Sequence, residues 1–162
     1  MLINAAYGFM LVVVIAACGN TVKEPEANNE NPPAETPFST AELNQQDSVW
    51  KEIMLIHDSV MPKTADINRM SQNIKKQLSE NSKLNDVLRN QMITTLEYLE
   101  QSDASMFDWM NNLQQLSQLR ESKTHTEILA YLQQEKEAIA KVSSDMLKSL
   151  ELGEQVSKQI NK

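Results

Sequence analysis

Between Asn20 and Leu152 the chain has no glycine, and after Pro37 it has a single proline, Pro62. Glycine is the residue that reaches positive φ without strain, so a stretch of this length without it leaves few ways to build tight hairpins. Helices joined by short polar turns remain. Leu, Gln, Glu, Lys, Ser and Met dominate the composition and only 5% of residues are aromatic, which leaves a core of aliphatic side chains and methionines.

Periodicity says how those helices pack. From Trp50 the inward positions run Trp50, Ile53, His57, Val60, Thr64, Ile67, Ser71, Ile74 and Leu78, in alternating steps of three and four. That seven-residue repeat is the coiled-coil pattern of helices crossing at a shallow left-handed angle. Pro62 interrupts the repeat without shifting its phase, which predicts one kinked helix rather than two. Ser39-Thr40-Ala41-Glu42 is a capping box that starts this helix, over about 40–80. The polar run Ser79 to Lys83 reads as a turn, with Asn81 or Ser82 capping a second helix over about 83–120. That helix carries Leu84, Leu88, Met92, Leu99, Met106, Trp109, Leu113 and Leu116. Thr124-His125-Thr126-Glu127 is a second capping box, opening a third helix over about 124–160. The expected fold is an all-α antiparallel three-helix bundle occupying residues 39–162. The runner-up is a four-helix bundle, split at Pro62 or near Ser102. Folding about the second turn sets Asp108, Asp103 and Glu97 level with Lys136, Lys141 and Lys148, which suits the antiparallel arrangement.

The N-terminal part belongs to a different class. Residues 1–17 carry no charged side chain, and Met10 to Ala17 form a continuous apolar run. The run ends in Ile15-Ala16-Ala17-Cys18, the pattern of a bacterial lipobox, in which the cysteine is lipidated after cleavage. It is short for a helix spanning a membrane, which needs ~20 apolar residues. The expectation is a signal peptide over 1–17 and a membrane anchor of acyl chains, palmitate among them, on Cys18. Residues 18–38, rich in Pro, Glu and Asn, read as a disordered tether. The expected address is the bacterial outer membrane, facing the periplasm. Cys18 is the only cysteine, so no disulfide is available.

Folding about the first turn sets residue 57 level with about residue 105. Met54, His57 and Met61 then share one slab of the bundle with Met106 and Met110, near Trp50 and Trp109. Two readings of this slab stand side by side. Methionine fills irregular gaps beside a kink, with His57 bonded to a backbone carbonyl or to Asp103. Alternatively, thioether sulfur and imidazole nitrogen hold Cu(I) or Ag(I), covered by an indole face. A third reading, a haem-b bundle with His57 and Met106 as axial ligands, lacks a C-x-x-C-H attachment motif. His125 reads as an exposed residue of a helix start. No phosphate loop, nucleophile elbow, H-E-x-x-H pair or carboxylate dyad appears, so no enzyme activity is expected. A net charge of −7 without a basic cluster speaks against nucleic acid. The expected partners are the membrane, through the anchor, and an envelope protein.

The lipobox at Cys18, the polar leash, the I-M-L-I-H-D-S-V-M-P segment after Trp50 and the M-F-D-W-M segment from Met106 together resemble small helical lipoproteins of bacterial envelopes. Some of these are labelled viral A-type inclusion protein-like. The resemblance implies a location and a coiled-coil-like fold, and no reaction.

Overall fold

The computed structural model describes residues 37–160; the expected signal peptide over 1–17, the expected lipidation at Cys18 and most of the expected tether over 18–38 fall outside the described residues. Those residues form five helices and no strand: α1 (Thr40–Val60), α2 (Lys63–Glu80), α3 (Asp86–Asn112), α4 (Leu116–Ser122) and α5 (His125–Ile160). They assemble into three rods. α1 and α2 run in line along one side, α3 and α4 return, and α5 runs beside both.

The repeat on the first rod splits into two stripes of unequal character. Ile53, Val60, Ile67 and Ile74 lie seven residues apart and are at most 2% exposed. The same spacing carried one heptad back reaches Gln46, also fully buried. The second stripe, Trp50, His57, Thr64, Ser71 and Leu78, is shorter or more polar, and all but Ser71 stay half-buried. α5 supplies Ile128, Leu132, Ile139 and Met146, and α3 supplies Met92, Leu99 and Met106, each fully enclosed. Burying a side chain of this size stabilises the fold by about 1.5–3 kcal/mol. Gly153 on α5 lets α2 approach closely: a Cβ there would sit 2.6 Å from Met70 Cγ on α2, so a larger residue would force the Met70 side chain to move. Ser102 and Ser149 play a related part where α3 meets α5, with their hydroxyl oxygens 2.9 Å apart. Each also lies close to a carbonyl of its own helix, Ser102 at 2.9 Å from Leu99 O and Ser149 at 2.8 Å from Met146 O.

Helix boundaries differ from the sequence reading at three places. The first rod is broken at Met61–Pro62, where proline has no N–H to continue the ladder. Both residues keep right-handed helical angles (φ −53°, ψ −39° and φ −60°, ψ −19°). Continuity is lost for two residues, and the core register is not. Asn85, rather than Asn81 or Ser82, caps the second rod, its side-chain oxygen accepting from Leu88 N–H at 2.8 Å. Asn81 ends α2 instead. The second rod itself breaks over 113–115, because Gln114 N–H leaves the helix to donate to the Tyr131 hydroxyl on α5 at 2.8 Å. No break occurs near Ser102.

Both capping boxes form as the sequence indicates. Ser39 caps α1 through Glu42. At α5, Thr124 N–H donates to the Glu127 carboxylate at 2.8 Å. The charges of the third rod pair differently from expectation. Lys136 reaches Glu52 on α1, and Lys141 pairs with Asp145 one turn along its own helix. The antiparallel level is nevertheless met by Tyr98, whose hydroxyl on α3 donates to Asp145 on α5 at 3.3 Å.

Candidate functional site

Three places in the bundle gather polar chemistry. At the first, His57 and Trp109 face each other, ring centroids 5.8 Å apart and tilted by 33°. His57 Nδ1 lies 2.9 Å from Asp58 Oδ1. A carboxylate only accepts, so Nδ1 carries the proton and Nε2 keeps its lone pair in the neutral ring. His57 is therefore held by its sequence neighbour, not by Asp103 or a carbonyl. Met106 is fully enclosed, Met54 and Met61 are half-buried, and Met110 is 39% exposed. Trp50 is half-buried against the same core. The slab contains the expected helices, offset by about one turn: His57 meets residue 109 where 105 was expected. Trp109 Nε1 is buried with no acceptor. Among the described residues no group of three or more His, Cys, Asp or Glu side chains is placed to hold a metal ion.

The second place is the end of the bundle where α1 and α5 begin. Arg120 Nε on α4 donates to Gln46 Oε1 at 2.8 Å, and Gln46 Nε2 lies 3.1 Å from His125 Nδ1. Guanidinium has no acceptor, so the Gln46 carbonyl must face Arg120 and its NH2 must face His125. Nδ1 of His125 is thereby the acceptor, and its proton sits on Nε2. Arg120 also reaches Leu43 O at 3.3 Å and Asp47 Oδ1 at 2.6 Å. His125 is thus half-buried and engaged, correcting the expectation of an exposed residue. Sequence reasoning missed Gln46, although one further heptad step from Ile53 lands on it.

The third place lies between α2 and α3, where the polar second stripe leaves a gap of about 400 Å³. Its lining includes Ile67, Ser71, Lys75, Glu100, Asp103 and Phe107. Lys75 and Glu100 pair with each other across the two helices. Asp103 has no ion pair among the described residues, and its Oδ1 is buried without a hydrogen-bond partner. Ser71 is 6% exposed, and its Oγ is likewise buried and unpartnered. Burial pushes the Asp103 carboxyl above the usual carboxylate range, partly offset by the neighbouring Asn68 amide. A wider groove of about 830 Å³ runs between α3 and α5, past Val87, Thr94, Tyr98, Lys148, Leu152 and Gln155. Its Tyr98 hydroxyl is already satisfied by Asp145. No helix among the described residues is long and apolar enough to cross a membrane.

No family model, curated protein or solved structure matches this chain.

Proposed function

We propose that the chain is a lipid-anchored, non-catalytic helical module of the bacterial envelope, serving binding or structure rather than a reaction. The observation that carries this reading is Ile15-Ala16-Ala17-Cys18, placed ahead of a Pro- and Glu-rich stretch and a helical bundle. The bundle supports it from the other side, since Gln46 with Arg120 and His125, and Ser102 with Ser149, serve helix-to-helix hydrogen bonds and the two Ser/Thr–Glu boxes serve caps. The proposed address is the outer membrane, with the bundle facing the periplasm and an envelope protein as partner. Expression of the full chain in a Gram-negative host with an alkyne-tagged palmitate is the test. The native chain should take up the label and fractionate with outer membranes, and Cys18→Ser should lose both properties. A native chain without label, or a labelled Cys18→Ser variant, removes the anchor.

A second reading, soft-metal binding by His57 with Met54, Met61, Met106 and Met110, is favoured by one observation. The Asp58 carboxylate orients the ring so that Nε2 presents its lone pair, the carboxylate–histidine relay common behind metal ligands. Cu(I) competition against bathocuproine disulfonate decides it: binding lost in His57→Ala supports the metal role, and an undisturbed bathocuproine complex ends it.

A further inference from the structure

We propose that the groove between α3 and α5 is the contact face of a weak antiparallel dimer of this chain. Its two walls repeat the spacing that builds the core. On α3, Val87, Gln91, Thr94 and Tyr98 follow in steps of four, three and four. On α5, Lys148, Leu152, Gln155 and Gln159 do the same. This is the heptad pattern by which helices offer a seam to further helices, and here it faces solvent. Val87 is 69% exposed, and Gln91, Thr94 and Gln155 are exposed beside it, over a floor of buried Thr95 and Val156. Of the eleven described residues that line the groove, Lys148 alone is charged, in a chain that is 23% charged with a net charge of −7. Depletion of charge marks the centre of an interface. For two copies of an acidic chain, such a strip is also where approach meets least repulsion.

The order of the residues selects a second copy and its direction. A two-fold axis lying across the groove lays α3 on the partner's α3 in the opposite sense, and α5 on the partner's α5. Val87 then comes opposite the partner's Tyr98, and Gln91 opposite the partner's Thr94. An apolar side chain meets a ring and an amide meets a hydroxyl, each pair occurring twice. Lys148 comes level with the partner's Asp86, because Asp86 heads α3 and shares with Val87, Gln91 and Gln159 the notch that continues the groove at its other end. An axis lying along the groove would instead set Lys148 level with its own copy and Val87 over an amide, so charge and apolar contact both select the antiparallel sense. A strip about 17 Å long and two helices wide falls short of the ~800 Å² per partner of a standard interface, which makes the dimer concentration-dependent rather than obligate.

The test is sedimentation equilibrium of the full chain in nonionic detergent micelles matched in density to the buffer, over a range of protein concentrations. The native chain should pass from one to two copies per particle in the micromolar range or above. Val87→Glu alters an exposed residue in the first turn of α3, where an acidic side chain favours the helix. It should weaken the dimer about tenfold or more by setting a charge against the partner's Tyr98, with far-UV circular dichroism unchanged. Lys148→Glu and Asp86→Lys should each weaken it about threefold, and the two combined should restore native association, since the pair is exchanged rather than lost. A native chain that stays single at every concentration overturns the proposal, as it would if a helix of another protein fills the groove. So does a dimer that Val87→Glu leaves intact, which then forms through another face. A combined swap no tighter than the single ones overturns the antiparallel pairing and the proposal with it.

Discussion

Gln46 shows how much one polar side chain fixes at the end of a bundle. It is fully buried, yet it stands in the stripe that elsewhere holds only isoleucine and valine. Its amide is the link between Arg120 on α4 and His125 at the start of α5. Replacing it by leucine keeps the volume but strands the Arg120 Nε–H and the His125 acceptor away from water. The expected cost of Gln46→Leu is about 2 kcal/mol, read as a lower urea midpoint at unchanged slope. A loss below about 0.5 kcal/mol would show that solvent replaces the amide without penalty. The residue was hidden from the sequence because a glutamine in a heptad is ordinarily a surface residue. What identifies it as core is its tertiary company, Arg120 and His125, from 74 and 79 residues away. The same limit applies at Asp103 and Ser71. A serine in the second stripe was visible, whereas a carboxylate flanking the α3 core has no periodicity of its own.

At the scale of helices, the ends divide into those set by local chemistry and those set by contacts. Ser-x-x-Glu and Thr-x-x-Glu close on themselves within four residues, so both capping boxes were legible. The stop at Leu113 depends on Tyr131, which no window around residue 113 contains. The boxes also make the helix starts acid-sensitive. The Ser39 backbone N–H and hydroxyl hold the Glu42 carboxyl below its ordinary value, and Thr124 does the same for Glu127. A carboxyl depressed in the folded state stabilises above its unfolded value, here 4.5, and that stabilisation is lost as pH falls through the folded value. The urea midpoint of the native chain should therefore drop between pH 5 and 3, in the range set by these carboxyls. In the double variant Glu42→Gln, Glu127→Gln that drop should be shallower, and parallel curves would show that the caps do not titrate with folding. Asp103 runs the other way: its carboxyl is raised by burial, so its contribution favours the fold at low pH and fades as pH rises through the folded value.

For the molecule as a whole, the heptad on the first rod and two polar turns were enough to give three rods in antiparallel order. They were not enough to give the finer register. Shallow crossing leaves a sliding freedom of about one turn, and it is resolved by side-chain fit: Met70 against Gly153, His57 against Trp109. Charge was a poor guide to that fit, because exposed lysines choose among several carboxylates at little difference in energy. Lys136 chose Glu52 on the first rod. At the centre of the α3–α5 seam, Ser102 and Ser149 carry a consequence of a different kind. Their three short contacts, oxygen to oxygen and each oxygen to its own helix carbonyl, are served by only two hydroxyl protons. Two of the three contacts can be served at once, and either serine can be the one that donates across the seam while the other donates to its carbonyl. One set of oxygen positions thus admits more than one arrangement of protons, which in the middle of a packed core is the condition that gives ice its residual entropy.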